Sequence, residues 1–244
     1  MSELQDYVVI VTGSSSGIGE QTARRLVALG ASVVVNSASS VEAGQALADE
    51  LGDNAIYVQA DISDKAQGQA LVDATVAHFG QIDCLVNNAG WTTVVNHKDL
   101  DALTDDIFDK TFQVNVYGTW WLTNAALPHI RKSANPNVVT ITSIAGVRPV
   151  GSSIAYSMSK AALNQMTTLL AKSHGPVRFN AVAPGLVATP WTESWDALHA
   201  QVAATNPIGR SATPDDCAEA VLAFIRNSYA TGQVLVVDGG TTLL

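Results

Sequence analysis

Cysteine is nearly absent: Cys84 and Cys217 are the two in 244 residues, far apart and without Cys-x-x-Cys spacing. That leaves a disulfide framework or a thiolate metal centre without support, so no metal site is expected, and both are read as buried reduced thiols. Positive charge is also scarce, with 13 Lys and Arg against 22 Asp and Glu for a net charge of −9. No basic cluster stands out, which argues against nucleic acid as a partner, because phosphate binding needs Lys and Arg gathered together. No apolar run approaches a membrane span, and no membrane partner is expected. Residues 1–7 are polar and acidic and run straight into a strand, leaving no room for a signal peptide. A reducing cytoplasmic location follows as the default.

What the chain has is apolar mass. It is 47% apolar and 14% charged, with Ala and Val recurring throughout. That mix suits one domain over residues 1–244 with a sizeable core of buried parallel strands covered by helices. Strand patterns fall at 7–11, 32–35, 55–59, 84–87, 137–142, 178–183 and 233–237. Helical patterns at 20–29, 41–51, 65–79, 108–127, 155–173 and 214–227 separate them. The alternation predicts an α/β fold: a doubly wound, mostly parallel seven-stranded sheet with helices on both faces and ligands beyond the carboxyl ends of the strands. Residues 185–210 break the pattern. Trp191 and Trp195 within that stretch favour a lid over a plain surface excursion.

Three motifs carry the chemistry, two of them at predicted strand ends. Thr12 to Gly19 joins the first strand to the first helix, and its Gly-x-x-x-Gly-x-Gly spacing lets backbone amides and a helix amino terminus approach a pyrophosphate. Asn87-Asn-Ala-Gly90 ends the fourth strand with residues small enough for a flat cofactor to pack on the backbone. Tyr156 and Lys160, four apart on one helix, put a phenol and an ammonium on the same face. A cation beside a phenol stabilises the phenolate and brings its proton into the range of acid-base catalysis. The bland alternative is a lysine stem lying over a half-buried ring.

Taken in order, Thr12 to Gly19, Asn87 to Gly90, Asn115, Ser143, Tyr156, Lys160 and Pro184-Gly185 resemble the classical short-chain dehydrogenase/reductase family over essentially the whole chain. The serine thirteen positions before the tyrosine makes the combination specific. The resemblance implies a Rossmann-type fold and hydride transfer between a nicotinamide ring and a carbonyl or alcohol carbon. It implies Tyr156 as acid and base, Ser143 bonded to the substrate oxygen, and Asn115 holding a water that links Lys160 to solvent. Lys160 would bind the nicotinamide ribose and, with the oxidised ring, lower the pKa of Tyr156. Cofactor contacts are implied for Gly13, Ser15, Ser16, Gly17, Ile18 and Gly19 at the pyrophosphate, and for Asp61 and Ile62 at the adenine. Asn88, Ala89 and Gly90 would line the adenosine ribose, and Pro184, Gly185, Val187 and Thr189 the nicotinamide. For Asp61 an ordinary helix cap is the alternative, with Ser63 or Asp64 serving equally.

An acidic residue at the end of the second strand would bind a ribose 2'-hydroxyl and repel a 2'-phosphate. Asn36, Ser37 and Ser39 stand there instead, which favours NADP(H), although no Arg or Lys joins them and NAD(H) use stays open. Trp91, Val147, Val150 and Ile154 predict an apolar substrate pocket roofed by Trp191 and Trp195, with core or subunit contacts as the alternative for each. The expected partners are a small carbonyl or alcohol substrate and, by resemblance, copies of the chain in a homotetramer. Two rivals remain: a 3-oxoacyl thioester reductase, disfavoured by the few basic residues (Arg131, Lys132, Lys172) that would meet an acidic carrier, and a nucleotide-binding regulator without turnover.

Overall fold

A computed structural model describes residues 3–243. Met1 and Ser2, on which part of the signal-peptide reading rests, lie outside the described residues. Seven strands form one sheet in the order β3-β2-β1-β4-β5-β6-β7, and every pairing is parallel. The strands are β1 (Val8–Val11), β2 (Ser32–Ser37), β3 (Ala55–Gln59), β4 (Cys84–Asn87), β5 (Asn137–Ile141), β6 (Arg178–Pro184) and β7 (Val234–Val237). The helices are α1 (Gly17–Ala28), α2 (Val41–Leu51), α3 (Lys65–Phe79), α4 (Asp105–Phe112), α5 (Thr119–Ile130), α6 (Ile154–Ser173), α7 (Asp196–Thr205) and α8 (Pro214–Arg226).

Successive strand side chains point to opposite faces of a sheet, and β1 shows what that does with four apolar residues in a row. Val9 and Val11 enter a core with Leu26 of α1 and Val221, Leu222 and Ile225 of α8. Ile10 enters the other core, with Leu71 of α3 and Leu122 and Ile130 of α5. Both faces of β1 are therefore dry, which is why its sequence does not alternate. The chain leaves β1 toward β2 on one side and returns to β4 on the other, so a crevice opens beyond the carboxyl ends of β1 and β4.

One departure from the sequence pattern, and the choice among the caps it left open, bear on function. The single helix expected over 108–127 is divided: α4 and α5 flank a π-helical turn at Gln113–Gly118. The cap of α3 is Asp64, whose carboxylate accepts from the amides of Ala66 and Gln67. Asp61 instead folds back on Ser63, accepting from its amide at 2.9 Å and its hydroxyl at 2.7 Å. The stretch after β6 holds a short 3-10 turn at Pro190–Thr192 and then α7.

Candidate active site

A cavity of about 1120 Å³ runs along the carboxyl ends of the strands. Its floor at the switch point is set by hydrogen bonds between β1 and β4. The Thr12 hydroxyl accepts from the amides of Asn88 and Ala89, both at 3.0 Å, and the Asn88 amide group donates to the carbonyls of Thr12 and Gly13 at 2.9 and 3.0 Å. Gly13 and Gly17 both have φ of +59°, a conformation that favours glycine. A Cβ on Gly13 would stand 2.9 Å from the Cα of Ala89, and one on Gly19 would stand 2.5 Å from the Asn88 amide nitrogen. Gly19 is buried and is not part of the cavity lining; its missing side chain lets α1 press against Asn88. Ser16 precedes α1 in extended conformation without capping the helix, so the first-turn amides point into a cradle that fits a pyrophosphate.

Gly13, Ser15, Ser16, Gly17, Ile18, Asn36, Ser37, Ser39, Asp61 and Ile62 line this half of the cavity, with Asn88, Ala89 and Gly90 beside them. Two of the expected ribose contacts are spent within the protein. The Asn36 amide group donates to the carbonyls of Val58 and Ala60, at 3.1 and 3.0 Å, and the Ser37 hydroxyl pairs with that of Tyr57 at 2.8 Å. Arg24 and Arg25 are tied into ion pairs with Glu20, Glu50, Asp215 and Glu219.

At the other end, Ser143, Tyr156, Lys160, Pro184, Gly185, Val187 and Thr189 line the cavity. Ser143 follows β5 and caps a 3-10 turn, its hydroxyl accepting from the Ala145 amide at 3.1 Å. Ser153 caps α6 by accepting from the Tyr156 amide at 3.1 Å, which fixes where the tyrosine leaves the helix. Lys160 is buried, 3% exposed, and its ammonium donates to the Ile141 carbonyl at 2.9 Å, 5.6 Å from the centre of the Tyr156 ring. Burial pushes the Tyr156 phenol up to about 12, against a smaller downward pull from its hydrogen bond with Ser143. Burial pulls Lys160 down to about 8. Desolvation governs both groups in the chain alone and favours the neutral form of each.

Asn115 lies in the π-helical turn, fully buried and outside the cavity lining. Its side-chain oxygen accepts from the Trp91 amide at 2.7 Å, and its amide group donates to the Trp91 carbonyl and the Ser159 hydroxyl, each at 3.0 Å. Both donors are used, so this side chain clamps Trp91 to α6.

Of the residues expected around substrate, Trp91, Val150, Trp191 and Trp195 line the cavity, whereas Val147 and Ile154 do not. Ile154 is two residues from Tyr156, which on a helix sends the two side chains to nearly opposite faces. Val147 ends the turn closed by the Ile144 carbonyl and is turned outward. Lys110 lines the cavity too, its ammonium 4.5 Å above the Trp91 ring. Sequence reasoning missed it, and no pattern marks one lysine among the acidic residues of α4. The other two tryptophans sit elsewhere: Trp121 stacks on Tyr117, and Trp120 borders a groove of about 230 Å³ with Arg131 and His174.

A parallel doubly wound sheet with a glycine cradle at its switch point, sharing one cavity with a serine, a tyrosine and a buried lysine, defines the class of nicotinamide-dependent oxidoreductases. The family profile described as enoyl-(acyl carrier protein) reductase matches residues 13–242, and the chain belongs to the short-chain dehydrogenase/reductase family. It is 52% identical over 241 residues to a Streptomyces violaceoruber protein provisionally named ketoacyl reductase 2 of the granaticin polyketide synthase, covering 97% of this chain and 96% of that one. The 7alpha-hydroxysteroid dehydrogenase of Bacteroides fragilis is 33% identical over 257 residues, covering 100% of this chain and 97% of its own. A crystal structure of 3-ketoacyl-(acyl-carrier-protein) reductase from Brucella melitensis, complexed with NADH, superposes with a TM-score of 0.91 at 32% identity, covering 98% of this chain and 99% of that one.

Proposed function

We propose that this chain reduces the ketone of a small molecule, or oxidises the corresponding secondary alcohol, with Tyr156 exchanging the proton. The observation that carries the reading is the convergence of Ser143, Tyr156 and buried Lys160 on one end of the cavity whose other end is the glycine cradle. When bound, a nicotinamide dinucleotide supplies or accepts the hydride. Ser143 holds the carbonyl oxygen, and the Tyr156 hydroxyl gives that oxygen its proton in reduction and removes it in oxidation. Lys160 meets the nicotinamide ribose, and its charge offsets the cost of a buried phenolate. Asn115 positions Trp91 and α6. Residues 185–210 act as the lid of a single domain, and the assembly is a cytoplasmic homotetramer.

The cofactor in this reading is NADP(H), with NAD(H) accepted less well. Among the cavity residues near the end of β2, Ser15, Ser16 and Ser39 carry hydroxyls and none carries a carboxylate, so nothing there repels a 2'-phosphate. Equal or tighter binding of NADH than NADPH by calorimetry refutes that preference. For the reaction, Tyr156→Phe removes the proton donor and keeps the ring; a loss of at least about a hundredfold in kcat is expected, and reduction at the wild-type rate refutes the assignment.

A second reading narrows the substrate to a β-ketoacyl thioester. The names of the granaticin relative and of the Brucella melitensis structure support it. A higher kcat/KM for a ketoacyl thioester than for the matching free ketone is the expected result under this narrower reading.

A further inference from the structure

We infer that Lys110 and Trp91 form an anion subsite at the substrate end of the cavity, so that the carbonyl compound this chain takes carries a carboxylate or a phosphate. The inference deepens the proposed carbonyl reduction and relies on it for the identity of the compound as a carbonyl.

Three charged side chains line the cavity: Asp61, Lys110 and Lys160. Asp61 lies at the end assigned to adenine and is occupied by Ser63. Lys160 is buried against the Ile141 carbonyl. That leaves Lys110, which lines the same cavity as Val94, Val150, Trp191 and Leu198 and stands beside Trp91. Asp106 stands one turn back on the same helix, a spacing at which carboxylate and ammonium usually meet. They do not pair: among the described residues no carboxylate lies within ion-pair distance of Lys110 and no protein acceptor takes its hydrogen bonds. The ammonium instead stands 4.5 Å over the face of Trp91.

A cation on an aromatic face is attracted by the ring from one side and keeps donors free on the other. The backbone that carries the platform is fixed, because both the amide and the carbonyl of Trp91 are held by Asn115. Lys110 is exposed at the cavity wall, and a ligand oxygen that met it would make a charge-assisted bond. The net charge of −9 disfavours delivery of the anion by an acidic macromolecule, so the anionic group belongs to the small molecule itself.

The test compares para-acetylbenzoate and para-acetylphenyl phosphate with the neutral para-acetylbenzamide. In Lys110→Gln the ratio of kcat/KM for each anion to that for the amide is expected to fall about tenfold, the size of one charge-assisted hydrogen bond, and Lys110→Arg is expected to restore most of it. A larger fall for the phosphate assigns the natural group as phosphate, and a larger fall for the carboxylate assigns a carboxylate. An unchanged ratio in Lys110→Gln overturns the subsite. If no ketone is turned over, the reduction fails on its own, and calorimetric titration of the NADP-loaded protein decides the subsite. Carboxylate binding weakened about tenfold relative to the amide in the variant upholds it, and equal weakening refutes it.

Discussion

Lys160 is held at an energetic loss when the chain stands alone, and the loss can be measured. Its ammonium is buried with a carbonyl as its hydrogen-bond partner, and its pKa drops from the ordinary 10.5 to about 8. One pKa unit is about 1.4 kcal/mol, so the charged lysine disfavours folding by about 3 kcal/mol. The sign follows from linkage: a folded-state pKa below the unfolded one means that the group's stability is fully present above the unfolded value and is lost as pH falls through the folded value. For Lys160 that window runs from 10.5 down to about 8. Lys160→Met removes the charge and keeps the volume. It also leaves the Ile141 carbonyl without its donor, at a cost of about 1 kcal/mol. At neutral pH the variant is therefore expected to be more stable than wild type by about 2 kcal/mol. That gain should shrink and change sign as pH approaches 10.5, with activity lost throughout. Urea unfolding of both proteins at a series of pH values gives the difference, and comparing the two cancels the groups that titrate there without meeting Lys160. A stability difference that stays flat between pH 8 and 10.5 refutes the account, as does a variant less stable than wild type at neutral pH.

Two further substitutions probe the frame of the site. Gly19→Ala sets a methyl 2.5 Å from the Asn88 amide nitrogen and 2.6 Å from the Gly13 carbonyl. It is expected to destabilise by about 1–3 kcal/mol, as overpacking does, and to weaken nicotinamide dinucleotide binding through Asn88; unfolding and cofactor titration check both, and a neutral result shows that α1 can shift away. Ser153→Ala removes the fully buried cap that accepts the Tyr156 amide. A loss of about 1 kcal/mol is expected by denaturation, together with a fall in kcat larger than any change in KM, because the proton donor is displaced.

The alternation of strand and helix was legible because it depends on neighbours in sequence. β1 reads as buried from four apolar residues, and the glycine turn after it reads from local spacing. What depended on partners far along the chain was not legible. The π-helical turn at Gln113–Gly118 is fastened by Asn115 to the backbone of Trp91, 24 residues earlier, and periodicity within the helix carries no trace of that contact. Asn36 stands near the end of β2, where a ribose contact is expected, yet its amide group turns inward to two carbonyls in the β3 segment. Val147 and Ile154 lie between Ser143 and Tyr156 in sequence, which predicts a place in the pocket. The capped start of α6 and the turn before it send them elsewhere. Lys110 belongs to the same kind of miss: its place over Trp91 needs α4 to fold back onto the segment that follows β4.

The two ends of the cavity differ in how their polar groups are satisfied, and that difference bears on where binding energy is used. At the switch point Thr12, Asn88 and Asn36 have closed their bonds with the backbone, so the cradle is set before any ligand arrives and ordering it adds little cost to binding. At the catalytic end burial holds Lys160 and Tyr156 against their charged forms. A ligand that offers Lys160 hydrogen-bond acceptors relieves the first of these penalties, and a charged Lys160 then relieves the second by favouring the phenolate. Relief of this kind is reciprocal: whatever a ligand does to keep Lys160 charged, a charged Lys160 returns as affinity for that ligand. Cofactor affinity should therefore fall as pH rises through about 8, where the free chain gives up the lysine proton. Loss of that dependence in Lys160→Met would identify Lys160 as its source, and its persistence there would assign it to another group.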